Sequence, residues 1–279
     1  MSIIKLLEDF TTENLTKTRS SRREMFGTLG SIGKKAAVAA VPFGLAGKSA
    51  SAASLFQQKV HEDPLNLALT LEYLEAEFYM KALESGVLAG HARAEAAYMQ
   101  ISKHEDAHVA FLMEALGDSA VSKPTFDFTA GGSFDPFAEN GTDMDTAYAQ
   151  LLALAQAFED TGVRAYKGQA GNLMNTPYLE PALQIHSVEA RHASEIRQIR
   201  GLEGWITGNM RGDGMPEATQ PVYDGEENVT QGGVDLTGLT YADDLVGDVT
   251  EAVTQAFDEP MSGDTAVAIA SLFIVSEDM

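Results

Sequence analysis

The feature that most constrains this chain is a glutamate followed by a Glu-x-x-His triplet, an order that occurs twice. Residues three apart in a helix lie one turn apart on the same face, so each triplet can present both side chains to neighbouring helices. Six side chains can therefore converge between four helices as candidate metal ligands. They are Glu72, Glu105, His108, Glu159, Glu189 and His192.

The spacing of these residues indicates an internal repeat. Glu105 follows Glu72 by 33 positions, and Glu189 follows Glu159 by 30. The two halves are offset by 87 positions at the first glutamate and by 84 at the second. The sequence therefore predicts that each half forms the same kind of helix pair.

The absence of cysteine restricts the chemistry of the chain. With no cysteine in 279 residues, disulfides, thiolate catalysis, iron-sulfur clusters and cysteine zinc sites are excluded. A metal must then be held by oxygen and imidazole nitrogen, which suits iron, manganese or zinc better than a soft ion. Four carboxylates neutralise two divalent ions and can bridge them. Without metal, four glutamates facing one another in an apolar core would repel strongly.

Apolar periodicity and helix-stop signals predict four long helices. The first begins after Asp63-Pro64, because proline is favoured in the first helical turn, and Ser85-Gly86 ends it. Its apolar residues cover more than one face, which is typical of a helix buried on several sides. The predicted spans are 64–84, 91–116, 145–169 and 179–206.

The connections between these helices indicate the topology. The first and last links are short, so each predicts an antiparallel hairpin. The middle link, 117–142, is long because a chain that returns along a helix of roughly 38 Å needs a long crossover. The predicted fold class is all-α, a four-helix bundle of two hairpins joined by one crossover. An irregular C-terminal extension would carry two short helices near 245–257 and 264–274, packed on the bundle or on a partner subunit.

The chain is predicted to have three parts, which are a leader (1–52), the bundle (53–210) and an acidic extension (211–279). Ser21-Arg22-Arg23-Glu24-Met25-Phe26 resembles a twin-arginine export signal, and an apolar stretch and a small-x-small site follow it. We therefore expect an exported protein, periplasmic or extracellular. The alternative is a disordered basic leader. The apolar stretch is too short to span a membrane stably.

Charge argues against anionic partners. The net charge is −22, and residues 1–52 contribute eight basic and four acidic residues, or +4, so the rest carries −22 − 4 = −26. Such a surface repels nucleic acid and anionic membranes. It either attracts cations for a metal-handling protein or is a solvated surface suited to a salty medium.

The order Glu, Glu-x-x-His, Glu, Glu-x-x-His resembles the ferritin-like di-iron and di-manganese carboxylate proteins. Segments 67–75, 187–193 and 257–260 are similar to a secreted ferritin-like group that includes plant desiccation-related proteins. The resemblance covers about residues 60–205. It implies a ferritin-like bundle with a dinuclear metal site, with iron as the first expected metal and manganese the next.

The resemblance also implies roles for the candidate ligands. Glu72 and Glu159 would be terminal ligands, Glu105 and Glu189 bridges, and His108 and His192 nitrogen ligands. Glu75 is expected to be either a seventh ligand or a supporting residue. Tyr79 and Tyr166 either hydrogen-bond a ligand carboxylate across the bundle or belong to an ordinary aromatic core. Asp160 and Glu195 are candidates to orient a histidine, and His104 and His186 are expected to be peripheral.

Three functions remain open. The first is a di-iron oxidoreductase of the ferroxidase or peroxidase/catalase type, which oxidises Fe(II) or reduces oxygen or peroxide in stress protection. The second is a manganese catalase-like enzyme that splits peroxide. The third is a non-enzymatic metal-binding or desiccation-stress protein. The expected partners are metal ions and oxygen or peroxide, and the candidate assembly is a homodimer.

Overall fold

The computed structural model describes Val60, residues 63–241 and residues 247–275. The predicted export signal and leader lie outside the described residues. The described chain contains four long helices, which confirms the all-α bundle. They are α1 (Pro64–Glu84), α2 (Ala92–Leu116), α3 (Met144–Gln169) and α4 (Leu179–Ile199).

Two aspartates fix the starts of α1 and α3. Asp63 accepts a hydrogen bond from the Leu65 backbone N–H at 2.9 Å, and Asp143 accepts one from that of Thr146 at 3.0 Å. Such caps satisfy a backbone donor that the first turn leaves free, and each contributes about 1 kcal/mol. The helices therefore begin within one residue of the predicted positions.

The prediction that the fourth helix continues to Ile206 was wrong. The helix ends at Ile199, and Gly201 follows with a φ of 77°. The Leu202 N–H then donates to the Arg197 carbonyl at 2.9 Å, which closes the glycine-dependent C-terminal motif of helices. Glycine adopts this left-handed conformation without the steric cost that a Cβ would add.

Side-chain contacts establish the direction of the helices. Tyr79 contacts Glu159 and Tyr166 contacts Glu72, so α1 and α3 run antiparallel. The short link makes α1 and α2 antiparallel as well, and α2 and α3 are therefore parallel. The chain must return along the bundle between them, which is why the crossover is long.

The crossover, residues 117–143, forms part of the core. Its four phenylalanines are buried, and the Phe128 ring centroid lies 5.5 Å from that of Phe78 on α1 and 6.4 Å from that of Phe158 on α3. The Asp135 carboxylate accepts hydrogen bonds from three backbone N–H groups between residues 139 and 142. The crossover thus covers the α1/α3 side of the bundle with aromatic side chains.

The C-terminal extension packs on the bundle, where its last helix contacts α1 and α3. The two predicted helices are present but shorter, as α5 (Val249–Thr254) and α6 (Gly263–Ser271). Two 3-10 turns (Glu217–Val222 and Leu236–Gly238) and a hairpin of β1 (Thr230–Gln231) and β2 (Val234–Asp235) were not predicted. None of the described helices is long and apolar enough to cross a membrane.

Candidate metal centre

Each of the four long helices contributes to one cluster of acidic and imidazole side chains in the bundle interior. The four glutamates are completely buried, His192 is 4% exposed and the His108 side chain 11%. The structure thus brings together all six candidate ligands. They are Glu72 from α1, Glu105 and His108 from α2, Glu159 from α3, and Glu189 and His192 from α4.

The first half of the cluster surrounds His108. Its Nδ1 lies 3.1 Å from Glu72 Oε2, 3.1 Å from Glu105 Oε2 and 3.1 Å from Glu189 Oε1. One imidazole nitrogen thus faces oxygens from three helices. This set of four side chains can converge on a single cation.

The second half repeats the arrangement around His192. Its Nδ1 lies 3.0 Å from Glu105 Oε1, 3.2 Å from Glu159 Oε2 and 3.2 Å from Glu189 Oε2. Glu105 and Glu189 belong to both halves, whereas Glu159 belongs to one. Two carboxylates shared between the two groups would allow a pair of metal ions to be held side by side.

Two oxygens in the cluster test whether a metal pair fits. Among the described residues, Glu105 Oε1 and Glu189 Oε1 are buried carboxylate atoms that accept no hydrogen bond of acceptable geometry. Each nevertheless lies close to an imidazole Nδ1, at 3.0 Å for Glu105 and 3.1 Å for Glu189. Buried charges need a partner or a metal. Four carboxylates and two imidazoles therefore fit two divalent cations in charge and in donor type.

Burial raises the pKa of several carboxyl groups in the protein without metal. Burial first, and then the neighbouring Glu189, raise the pKa of Glu105 well above its usual range. Burial and the Glu159 charge do the same to Glu75. Burial raises the pKa of Glu159 itself to about 7, although His192 opposes the rise.

The pKa values of the two imidazoles are raised, although burial alone would lower them. Burial lowers the pKa of His108, but the adjacent carboxylates of Glu105, Glu189 and Glu72 raise it to about 12. Burial also lowers the pKa of His192, but Glu159, Glu105 and Glu189 raise it far above its ordinary value. Burial opposes ionisation of Glu189, and the two histidines lower its pKa to about 2. Without metal, protonated imidazoles therefore balance the carboxylates.

Two tyrosines bind the carboxylates of Glu159 and Glu72 from across the bundle. The Tyr79 hydroxyl on α1 donates to Glu159 Oε1 on α3, and the Tyr166 hydroxyl on α3 donates to Glu72 Oε1 on α1. The rings also pack in the core, where the Tyr79 and Tyr98 centroids lie 4.9 Å apart. Tyr79 therefore both hydrogen-bonds a candidate ligand and belongs to the aromatic core, so both alternatives from the sequence apply to it.

Glu75 is buried next to the cluster but belongs to neither group of four. It faces Gly162 on α3, and a Cβ at that glycine would lie 3.3 Å from Glu75 Oε1 and 3.4 Å from Glu189 Cγ. Gly162 follows Glu75 by 87 positions, the offset that separates Glu159 from Glu72. One half of the repeat therefore carries a carboxylate where the other half leaves space for it.

The family model of the ferritin-like domain matches residues 61–202, which is more than half of the chain. The chain belongs to the ferritin-like family. The match includes all four long helices and all six candidate ligands of this ferritin-like bundle. No curated protein matches the chain closely. The extension after α4 lies beyond the ferritin-like match.

One histidine of the ferritin-like bundle lies closer to the cluster than its sequence position predicted. His104 was predicted to be peripheral, yet its Nδ1 lies 2.8 Å from Nε2 of His192. The signal was present, because His104 lies four residues before His108 and so shares its helical face. His186, in contrast, lies away from the cluster, where its Nδ1 is 2.9 Å from the Val163 carbonyl.

Neither acidic residue proposed to orient a histidine does so. Asp160 accepts hydrogen bonds from Arg197 Nη2 at 2.6 Å and from the Tyr223 hydroxyl at 2.8 Å. Glu195 pairs at 3.0 Å with Arg93 on the surface. Both carboxylates thus pair with arginines, Asp160 in the interior and Glu195 on the surface, and the helical spacing of the sequence did not reveal these pairings.

Proposed function

We propose that this ferritin-like protein binds two divalent metal ions between its four helices and uses them to oxidise Fe(II) or to reduce oxygen or peroxide. One observation carries the proposal. Glu105 and Glu189 are shared by two imidazole-centred groups, and each has a buried oxygen without a hydrogen bond. Packing alone gives no reason for such an arrangement, because unsatisfied buried acceptors are costly.

Each side chain has a defined role in the proposed site. Glu105 and Glu189 would be shared by the two ions, Glu72 and Glu159 would each hold one ion, and the two histidines would supply nitrogen ligands. When bound, iron or manganese supplies redox chemistry at coordination positions that the protein leaves open. The chain's own contribution is orientation, because the Tyr79 hydroxyl fixes the Glu159 carboxylate and excludes the rotamers that would turn it away.

Iron is the proposed metal and manganese the alternative. Both accept carboxylate and imidazole ligands, so the donor set alone does not separate them. The test is elemental analysis of protein purified from its own host. Two irons per chain support the proposal, two manganese ions favour a catalase-like reaction on peroxide, and absence of bound metal contradicts the dinuclear site.

Turnover is tested separately from binding. Protein loaded with Fe(II) without oxygen is mixed with oxygen or peroxide, and oxidation is followed by absorbance. The double variant Glu105→Ala, His108→Ala should lose both metal and turnover, whereas the surface variant Glu195→Gln should keep both. Protein that binds two irons yet shows no oxygen- or peroxide-dependent turnover would refute the redox function and favour a non-enzymatic metal-binding protein.

We also propose that the protein is exported and acts in stress protection, as expected for the secreted ferritin-like group that its sequence resembles. The support is the Arg22-Arg23 pair followed by an apolar stretch and Ala50-Ser51-Ala52. Fractionation of the host and N-terminal sequencing of the mature protein test this. An intact Met1 on exported material would contradict cleavage, and recovery only with cytoplasmic markers would contradict export.

A further inference from the structure

His192 is engaged at both of its ring nitrogens. Nδ1 faces the carboxylates of the cluster, and Nε2 lies 2.8 Å from Nδ1 of His104 on α2. The two rings are nearly parallel, with planes 13° apart and centroids 5.1 Å apart. His104 therefore supports His192 from the side opposite the proposed metal position.

The other half of the repeat has no such support. The repeat offset of 84 that relates His108 to His192 relates His104 to Val188, which has no hydrogen-bonding side chain. Across the described part of the chain, the hydrogen bonds of His108 are all made by Nδ1, and none reaches Nε2. The two halves thus differ in what surrounds their imidazoles.

The tautomers required by a metal are compatible with this chain of contacts. A metal bound at His192 Nδ1 needs the lone pair there, so the ring proton resides on Nε2 and is donated to His104 Nδ1. The His104 proton then resides on Nε2, which lies 2.7 Å from the Gln100 amide at the surface. The amide can turn its oxygen to accept it. Every ring nitrogen is then satisfied without added charge.

We infer that His104 is a positioning residue for His192 and makes the two proposed metal positions unequal. The inference rests on the proposed dinuclear site and extends it. A hydrogen bond to the outer nitrogen of a ligand histidine fixes its ring and raises its basicity, and its loss typically weakens metal binding about 10- to 100-fold. The ion held by His192 should therefore bind more tightly than the ion held by His108.

The experiment is an anaerobic titration of the full chain with Co²⁺, whose visible absorption reports each bound ion and its geometry. The variants are His104→Ala, His104→Asn and Val188→Ala. The asparagine carbonyl can occupy the place of the imidazole Nδ1 and accept the His192 proton, so it is the rescue variant. Val188→Ala is the matched control at the repeat-related position. Urea unfolding of each variant without metal verifies the fold.

The expected result is two binding steps in the wild type, of which His104→Ala weakens the tighter one about 10- to 100-fold and leaves the other unchanged. His104→Asn should restore most of the loss, and Val188→Ala should resemble the wild type. Equal weakening of both steps, no weakening, or the same loss in Val188→Ala would overturn the inference. A wild type that binds no Co²⁺, Fe²⁺ or Mn²⁺ would instead refute the dinuclear site itself.

Discussion

At the scale of single residues, the cluster combines two local pairs on α2 and α4 with contacts between helices. Glu105 and His108 share a helical face whatever surrounds the helix, and so do Glu189 and His192. The hydrogen-bond partner of each side chain cannot be predicted in this way. That Tyr79 binds Glu159, and that Asp160 binds Arg197, depends on how helices pack, which their own sequences do not contain.

Removing one tyrosine hydroxyl should destabilise the protein without metal. Tyr79→Phe leaves a buried carboxylate oxygen of Glu159 without its donor, and hydrogen bonds to charged groups contribute about 1.5–3 kcal/mol. Tyr98→Phe is the matched control, because its hydroxyl donates at 3.2 Å to the neutral Leu151 carbonyl. Urea unfolding should give a larger loss of free energy for Tyr79→Phe. Equal losses would show that the carboxylate does not need this hydroxyl.

The pKa of His108 gives a pH dependence with a definite sign. The folded pKa of about 12 lies above the ordinary histidine value of 6.5, so this residue's contribution to stability is fully present below about pH 6.5. That contribution is lost as the pH rises toward 12. The urea midpoint of the protein without metal should therefore fall as the pH rises from 7. A midpoint that rises over this range would contradict the ion pairs of the cluster.

Metal binding should release protons, because the imidazoles of the cluster are protonated in the protein without metal. A metal ion needs neutral imidazoles and ionised carboxylates, so loading near pH 7 should release at least about two protons. One comes from each of His108 and His192, and more come from Glu105 and Glu159, whose pKa values are raised. Calorimetric titrations in buffers with different ionisation enthalpies measure this number. His186→Gln is the control, since its Nδ1 lies 2.9 Å from the Val163 backbone carbonyl, outside the cluster. Loading without proton release would contradict protonated imidazoles in the protein without metal.

At the scale of elements, helix starts were predictable and ends less so. Asp63-Pro64 is a local signal, and α1 begins there. The end of α4 was missed although Gly201 marks it. The hairpin of β1 and β2 was also missed, although a two-residue Gly-Gly turn is a strong hairpin signal. Gly232 and Gly233 form that turn, with φ of 59° and 84°. The buried faces of the crossover could not be predicted from the sequence, because they depend on contacts with α1 and α3.

Gly162 shows how one helix is fitted to its neighbours. A glycine in the middle of a helix costs about 0.5–1 kcal/mol relative to alanine, yet here it leaves space for Glu75 and Glu189. Gly162→Ala should displace these carboxylates and weaken metal binding about tenfold or more, with helix content unchanged. Gly171→Ala is the control, because a Cβ there meets no atom within 4 Å. Unchanged affinity in Gly162→Ala would show that the added methyl is accommodated.

At the scale of the whole molecule, the topology was predictable from loop lengths, and the position of the extension was not. Arg164 on α3 pairs with Glu226 at 2.6 Å and donates to the Glu259 carbonyl at 2.9 Å and to the Asp224 carbonyl at 2.9 Å. Arg164 and Glu226 are 62 residues apart, and no periodicity links them. The buried Arg164 guanidinium is thus one of the contacts that join the bundle to the extension, beside the Asp160–Tyr223 hydrogen bond and the packing of α6.

Loss of Arg164 should therefore be among the most damaging substitutions away from the metal centre. Arg164 is 2% exposed and Glu226 1%, so Arg164→Met leaves Glu226 as an uncompensated buried charge, at a cost of about 3–5 kcal/mol. The double variant Arg164→Met, Glu226→Gln removes that charge and should recover part of the loss in urea unfolding. Arg93→Met is the control, because its pair with Glu195 is exposed to solvent and contributes little.

Limited proteolysis separates detachment of the extension from unfolding of the bundle. If Arg164 anchors the extension, Arg164→Met should be cleaved first after α4 while the bundle remains resistant, because local opening exposes the segment with the fewest remaining contacts. The double variant should resist longer, since it no longer buries a lone carboxylate. Cleavage within α1 or α2 at the same rate would mean that extension and bundle unfold together, and that the ion pair stabilises the whole molecule rather than one contact.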